Sequence, residues 1–193
     1  MKKIFFSLIV VINISCKAQN ILPIERMINY IEDEDKGLLD DGISYVKDVN
    51  GILNKFVGTW KGSYQNKNYE FKISKNTKQE VSIKKDRLII RYKITDSRSG
   101  IRLAIANTLN LPTEDGYIIT GDYLARNGSY VLDYFGLKGE CGQNGTMFIN
   151  VKDTTPNLMD LFLHVKGEIY HPECTTGYAA QVMPIEGITL TKQ

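Results

Sequence analysis

From residue 56 onward, apolar and polar side chains alternate along the chain with a period of two residues. Trp60 and Tyr64 share one face of such a stretch, and Tyr69, Phe71 and Ile73 share one face of the next. This alternation indicates antiparallel strands with one face buried and the other in water. The pattern predicts about eight strands, at residues 56–65, 68–74, 81–95, 117–125, 129–137, 146–152, 158–166 and 181–191.

The number and spacing of these strands favour an all-β fold, namely an antiparallel lipocalin-like barrel or a sandwich of about eight strands. Asn127-Gly128, between two of them, is a hairpin turn signal. Ahead of the first strand, apolar positions three and four residues apart predict a short helix that Asp48 can cap. Its apolar face comprises Val49, Ile52, Leu53 and Phe56.

The start of the chain has the pattern of a bacterial lipoprotein signal. Lys2 and Lys3 precede an apolar run at residues 4–12, and Ser15 stands directly before Cys16. A signal peptidase cleaves such a leader before the cysteine, which then carries a diacylglyceryl group. The apolar run is too short for a membrane span, which needs about 20 residues. The remaining alternative is an ordinary secretory signal with Cys16 merely nearby.

These features predict three parts of the chain: a signal peptide at 1–15, a lipidated tether at 16–42, and a single β-domain at 43–193. The tether is inferred because apolar periodicity gives way to acidic residues at 32–35. The junction at 15–19 resembles that of lipoproteins of the Bacteroidota, and it lacks the acidic cluster that resembles a surface-export signal there. We therefore expect a cell-envelope, outer-membrane lipoprotein that faces the periplasm and contacts the membrane through Cys16.

The charge balance bears on the partners of the protein. The chain has 24 Lys and Arg against 22 Asp and Glu, and the excess disappears when Lys2 and Lys3 leave with the leader. A neutral chain lacks the basic stripe that binding to phosphates requires, which argues against nucleic acid as a partner. The sequence identifies no protein partner.

Motifs of catalysis are missing from the sequence. It contains no His-Glu-x-x-His, no Gly-x-Ser-x-Gly and no phosphate-binding loop, so we expect a protein that is not an enzyme and that uses no cofactor. Four carboxylates could still converge in space as they do in glycosidases, although charges on the polar face of a strand are usually solvated. They are Glu70, Asp122, Asp133 and Glu140.

Cys141 and Cys174 are the two cysteines that remain besides Cys16. In an exported protein we expect them to form a disulfide. A metal site is the alternative, because His164 and His171 lie between them in sequence. The spacing matches none of the usual zinc patterns, and an oxidising compartment favours the disulfide, so no metal is expected.

Two resemblances bear on the fold and the class of protein. Residues 56–60, Phe-Val-Gly-Thr-Trp, follow a short helix and resemble the Gly-x-Trp start of lipocalin-like barrels. The resemblance implies that Trp60 closes one barrel end and is structural. The chain is also similar to an uncharacterised family of short flavobacterial lipoproteins with a domain of unknown function, at residues 47–50, 58–60, 119–124, 130–132, 134–136 and 141–146. Members of that family carry a cysteine near the position of Cys174, and the resemblance implies no activity.

Aromatic residues dominate the inward face of the predicted barrel, and they leave two functions open. An eight-stranded barrel is either filled by its own side chains or holds one small ligand. A filled barrel would suit an envelope protein that is structural or binds a partner, whereas a hollow one would suit a carrier of a small apolar ligand. The first is preferred because such aromatics more often form core. The candidate lining residues are Tyr64, Tyr69, Phe71, Tyr92 and Tyr134.

One modification site is also predicted. Asp153-Thr154-Thr155 resembles the Asp-Thr-x acceptor for O-glycosylation in exported proteins of the Bacteroidota, and Pro156 indicates a loop there. We therefore expect Thr154 to be an O-glycosylation site.

Overall fold

The alternating segments form a closed β-barrel in the computed structural model, which describes residues 20–98, 104–169, 174 and 177–193. Short helical segments occur only at the N-terminal side of the described chain: α1 at Ile28–Ile31 and two 3-10 turns at Ile24–Arg26 and Ile52–Phe56. The strands are β1 Ile21–Pro23, β2 Tyr45–Lys47, β3 Gly58–Tyr64, β4 Lys67–Glu80, β5 Ile83–Asp96, β6 Ala104–Asn107, β7 Ile119–Leu124, β8 Tyr130–Phe135, β9 Asn144–Asn150, β10 Leu158–Val165 and β11 Ile188–Lys192.

Eight of these strands form the barrel, in the order β5-β4-β3-β11-β10-β9-β8-β7. The ring closes where β7 pairs with β5, at Ile89 with Thr120 and Ile90 with Ile119. All of its neighbouring strands are antiparallel. Closure leaves the ring without free edges. The prediction of an all-β antiparallel fold is confirmed, and the fold is a barrel and not a sandwich.

The barrel has two ends of different composition. The N-terminal end carries the chain from Asn20 to Val57 and the tip of the β4–β5 hairpin. The disulfide end carries the loop at 136–143 and Cys174, which is bonded to Cys141. Between the two ends, the inward-facing side chains of the ring form one hydrophobic cluster that includes Trp60.

The predicted tether at 16–42 is wrong for the residues that the structure describes. Strand β1 pairs in parallel with β2, which in turn pairs in parallel with the start of β5. Leu22, Ile24 and Met27 are at most 7% exposed and belong to the same cluster as the barrel interior. The acidic residues at 32–35 interrupt the apolar periodicity, so the sequence pattern does not indicate that these positions are buried. Even within that run, Glu32 forms an ion pair with Arg126 of the β7–β8 turn.

Two further elements differ from the prediction. The helix expected from Val49 to Phe56 is a 3-10 turn limited to Ile52–Phe56, because Gly51 before it has a positive φ of 66° and interrupts the helical backbone. Asp48 still accepts a hydrogen bond from the Leu53 N–H, at 3.3 Å. The last strand begins at Ile188 and not at residue 181. None of the described helices is long and apolar enough to cross a bilayer.

Candidate site at the disulfide end of the barrel

Four of the five predicted lining residues come together inside the barrel and form what we call the aromatic row: Tyr69, Phe71, Tyr92 and Tyr134. Ring centroids along the row are 5.9, 6.4 and 6.5 Å apart, and the first pair is stacked. Each of these side chains is at most 2% exposed. The row therefore fills the half of the interior that lies toward the disulfide end.

Tyr64 and Trp60 lie outside the aromatic row. Tyr64 is the last residue of β3 and is partly exposed. Its hydroxyl oxygen accepts a hydrogen bond of 2.8 Å from Gln65 Nε2. Trp60 is fully buried toward the N-terminal end, and its Nε1–H donates to the Phe56 carbonyl at 2.8 Å. This bond ties the 3-10 turn to the barrel wall and gives Trp60 a place in the core.

Residues 179–183, which we call the closing segment, cross the disulfide end of the barrel. The Tyr69 hydroxyl donates to the Val182 carbonyl at 2.9 Å. Gln143 Nε2 donates to the Ala180 carbonyl and Gln181 Nε2 to the Gly142 carbonyl, both at 2.6 Å. These bonds hold the segment both to the aromatic row below it and to the loop at 136–143 beside it.

The predicted disulfide between Cys141 and Cys174 is confirmed, with a Cα–Cα distance of 5.5 Å. It joins the loop at 136–143 to the chain that leads into the closing segment. The bridge closes a loop of 33 residues, and the chain-entropy argument assigns about 3 to 4 kcal/mol to such a closure. The loop at 136–143 is therefore held to the chain around the closing segment both by the disulfide and by side-chain hydrogen bonds.

An apolar cleft of about 310 Å³ opens beside the closing segment. Gln143 fixes one wall, because its Oε1 accepts a hydrogen bond of 3.0 Å from the Lys138 N–H while its Nε2 donates to Ala180. The side chain of Lys138 is exposed at the margin. The cleft is lined by Ala106, Leu137, Lys138, Gln143, Ala180 and Val182.

Two hydroxyls of the aromatic row, those of Tyr92 and Tyr134, are buried next to each other, and neither makes a hydrogen bond of good geometry in the described structure. A side chain at Gly136 would collide with the Tyr134 hydroxyl and approach Gln143 Oε1, which places that hydroxyl next to the cleft wall. Burial raises the pKa of Tyr92 to about 12 and raises that of Tyr134 well above its usual range. Both hydroxyls therefore keep their protons at neutral pH and can donate them.

The remaining candidate residues are not part of this site. Glu70 pairs with Lys61 at 3.3 Å and Asp122 with Lys85 at 3.2 Å, on the outer wall of the barrel. Asp133 lies near Asp122, and its pKa is raised by burial first and by the charge of Asp122 second. Strand β5 separates this pair from Glu70 on β4, so these three carboxylates do not converge.

His164 and the glycosylation candidate Thr154 both lie on the surface of the barrel. His164 is exposed on the wall of β10, and His171 lies outside the described residues. Within residues 20–98, 104–169, 174 and 177–193, no three His, Cys, Asp or Glu residues are grouped to hold a metal ion. Thr154 is exposed in the turn between β9 and β10.

Sequence reasoning missed Gln143 and Val182, which connect the closing segment to the loop and to the aromatic row. Val182 falls in a stretch that the alternation assigned to a strand. Gln143 stands within residues 141–146, a segment that carried the family resemblance, but its type alone indicates no role in closing a barrel. Only the contacts with Ala180 and Lys138 reveal that role.

The fold defines the class of the protein as a closed, eight-stranded antiparallel barrel with a packed aromatic interior. Residues 1–98 match the family of unknown function DUF6705, and the chain belongs to this family. No curated protein and no solved structure matches the chain. The matched residues span β1 to β5 and the N-terminal end, whereas the closing segment lies beyond them.

Proposed function

We propose that the protein is a non-enzymatic lipoprotein of the bacterial cell envelope, held to the outer membrane by lipid on Cys16 and facing the periplasm. Its barrel is a filled scaffold that acts through its surface, as a structural or partner-binding protein. The leader at 1–15 supports the lipid attachment, since a basic start, a short apolar run and Ser15 before Cys16 are typical of a lipoprotein signal.

The packing of the aromatic row carries the proposal of a filled barrel. Its side chains are 0 to 2% exposed and touch one another through their rings. A carrier of the same fold needs interior space for its ligand. Here the Tyr69 hydroxyl reaches across to the closing segment and donates to Val182. The interior positions that could line a cavity are thus occupied by mutual contacts.

Native mass spectrometry of the protein extracted from its own membranes tests this function. We expect the mass of residues 16–193 with lipid on Cys16, lower by two hydrogens for the disulfide, and no further apolar adduct. A stoichiometric apolar adduct that organic extraction removes would refute the filled barrel. A Cys16→Ser variant is the control for the anchor, and it should lose the lipid mass and the membrane attachment.

The same spectra examine the modification proposed at Thr154. A glycan would add mass that disappears in a Thr154→Ala variant and persists in a Thr155→Ala variant. Because Thr154 is exposed in a turn, neither substitution disturbs the core, so a change in mass reports on modification alone. A polypeptide without added sugar mass would remove the proposal for this residue.

The cleft at the disulfide end favours a second candidate function, the binding of a small apolar or amphipathic ligand. Buried hydroxyls without a hydrogen bond of good geometry are costly, and those of Tyr92 and Tyr134 lie in the row beneath this end. A medium-chain fatty acid is a suitable probe, because the cleft is apolar and Lys138 lies at its margin. We expect a Val182→Trp variant, which fills the cleft, to abolish an adduct that the parent protein forms with octanoate. No adduct with the parent would exclude this candidate.

A further inference from the structure

The described chain starts at a residue that is fixed to the domain. The Asn20 carbonyl accepts hydrogen bonds from the N–H groups of Ser44, at 3.0 Å, and Tyr45, at 3.3 Å. Its side-chain Nδ2 donates to the Asp41 carbonyl at 3.0 Å. Strand β1 begins at the next residue and pairs with β2. Asn20 therefore belongs to the N-terminal end of the barrel.

Asn20 lies only four positions after Cys16, with three residues between them. A fully extended chain of that length spans at most about 14 Å. If Cys16 carries the lipid anchor, as the proposed function holds, Asn20 must stay within this distance of the acyl-chain attachment. The barrel cannot stand off from the bilayer, and the surface around Asn20 must face the lipid headgroups.

The surface around Asn20 exposes apolar side chains. Leu39 is 61% exposed, Ile21 is 39% exposed, and Val81, at the tip of the β4–β5 hairpin, is completely exposed. The hairpin is fixed beside Asn20, because the Lys84 N–H donates to the Ser44 carbonyl at 2.9 Å. An apolar cleft of about 440 Å³ between the two parts is lined by residues that include Met27, Ile31, Leu39 and Ile83.

Val81 in particular is not explained by the folding of the barrel. It has a positive φ of 31°, a conformation that is unfavourable for a β-branched residue, and its side chain is completely exposed. A polar residue or glycine would suit a turn in water better. An apolar side chain at the tip is stabilising only where the tip contacts an apolar phase that removes the side chain from water.

We propose that this N-terminal face lies on the bilayer that holds the lipid of Cys16, with Val81 and Leu39 inserted among the lipid headgroups. The short connection sets the distance, and the exposed apolar residues make the contact. Charges of both signs lie at this end, with acidic residues at 32–35 in the N-terminal segment and exposed Lys78 and Lys84 on the hairpin, so we assign the contact to apolar insertion and not to attraction to anionic lipid. The disulfide end, with its cleft, then points away from the membrane.

Lipid-borne quenching tests this orientation in the lipidated, full mature protein reconstituted in phosphatidylcholine vesicles. A bimane label is attached to a Val81→Cys variant and, as the matched control, to an Ile185→Cys variant. Ile185 is 52% exposed and lies beyond the closing segment, at the disulfide end. We expect doxyl-labelled phosphatidylcholine to quench the label at position 81 about threefold, since interfacial apolar residues reach the boundary of the acyl chains. The fluorescence of the label at position 185 should not be quenched.

Further variants show whether the apolar side chains make the contact. Leu39→Asp in the protein labelled at position 81 should reduce the quenching, whereas Leu137→Asp should not, although Leu137 at the disulfide end is similarly apolar and 45% exposed. Equal or absent quenching at positions 81 and 185, in protein that still sediments with the vesicles, would overturn the orientation and leave the lipid anchor intact. Protein that stays in the supernatant, with no lipid mass on its N-terminal peptide, would refute the anchor and the orientation together.

Discussion

Three buried tyrosines differ in whether their hydroxyls have a partner. Tyr69 donates to the Val182 carbonyl, whereas Tyr92 and Tyr134 make no hydrogen bond of good geometry in the described structure. We expect Tyr69→Phe to lower the free energy of unfolding by about 1 kcal/mol, because it removes a hydrogen bond and leaves a carbonyl unpaired. Tyr92→Phe and Tyr134→Phe should be neutral or stabilising. Urea unfolding followed by circular dichroism measures all three.

The same comparison has a clear contrary outcome. If Tyr92→Phe or Tyr134→Phe destabilises the protein more than Tyr69→Phe does, the hydroxyl has a partner, such as a buried water or a ligand. That result would favour the cleft as a binding site over the filled barrel. Tyr178→Phe is a suitable control, because Tyr178 is 73% exposed and its substitution should change the free energy of unfolding little.

Burial of these phenols also predicts how stability depends on pH. The pKa of Tyr92 is raised from 10.0 to about 12, mainly by burial, and those of Tyr69, Tyr130 and Tyr134 are raised for the same reason. The folded state therefore holds these protons more tightly than the unfolded state. Their contribution to stability is complete below pH 10 and is lost as the pH rises toward and beyond 12.

Unfolding at increasing pH, with phenolate absorbance at 295 nm as a second signal, measures this loss. Phenolate from the buried tyrosines should appear together with unfolding. The Tyr92→Phe variant should lose about 3 kcal/mol less than the parent over this range, since one unit of pKa corresponds to about 1.4 kcal/mol and the pKa of Tyr92 is raised from 10.0 to about 12. Ionisation of all tyrosines near pH 10 in a protein that stays folded would contradict the burial argument.

At the scale of elements, the alternation of apolar and polar residues predicted a strand at each of the eight barrel strands, although not always with the right bounds. It predicted β8 and β10 to within about two residues, and the turn signal at Asn127-Gly128 marks a real hairpin in which Gly128 has a positive φ of 81°. It could not predict the second half of β4, because residues 75–80 are polar on both faces where the hairpin projects past the barrel. The backbone of that extension pairs with β5, and the Lys75 side chain contacts Asp48 and Asn54 beside it.

The closing segment and strand β1 were missed for a different reason. Residues 179–183 are held by hydrogen bonds from Tyr69 and Gln143 to their backbone, and such contacts leave no periodic pattern. Strand β1 is three residues long and pairs in parallel, so it shows no alternation either. The aromatic row could be predicted because each of its members obeys the period of a long strand. The prediction that Tyr64 lines the interior was wrong, because Tyr64 is the last residue of its strand.

The tip of the β4–β5 hairpin shows a conflict between turn conformation and residue type. Val81 has a positive φ of 31° and full exposure, so Val81→Gly should raise the free energy of unfolding by about 1 kcal/mol. Thermal or urea unfolding of the two proteins would measure the gain. A loss of stability would mean that Val81 makes a contact that stabilises the hairpin. On the proposed orientation, the same change should weaken contact with the bilayer.

At the scale of the whole molecule, the N-terminal segment determines how the barrel is held. Residues 20–47 pair with the projecting start of β5 and bury apolar side chains under it. The match to DUF6705 spans this segment together with the predicted leader and the first barrel strands. From Asn20 onward, the segment that follows the predicted anchor is packed against the barrel. The position of the lipid therefore restricts how the barrel can be oriented on the membrane.

A substitution at Ile24 distinguishes this packed segment from a tether. Ile24 is fully buried in the cluster that includes the barrel interior, so Ile24→Ala should lower the free energy of unfolding by about 2 to 4 kcal/mol, for the lost transfer energy and the cavity it leaves. Ile31→Ala is the matched control in the same segment, because Ile31 is 42% exposed. Circular dichroism in urea should show one transition that moves as a whole for Ile24→Ala. An unchanged transition would mean that the segment unfolds independently of the barrel. A free segment could serve as a stalk between the barrel and the membrane, so the orientation of the barrel would no longer be restricted.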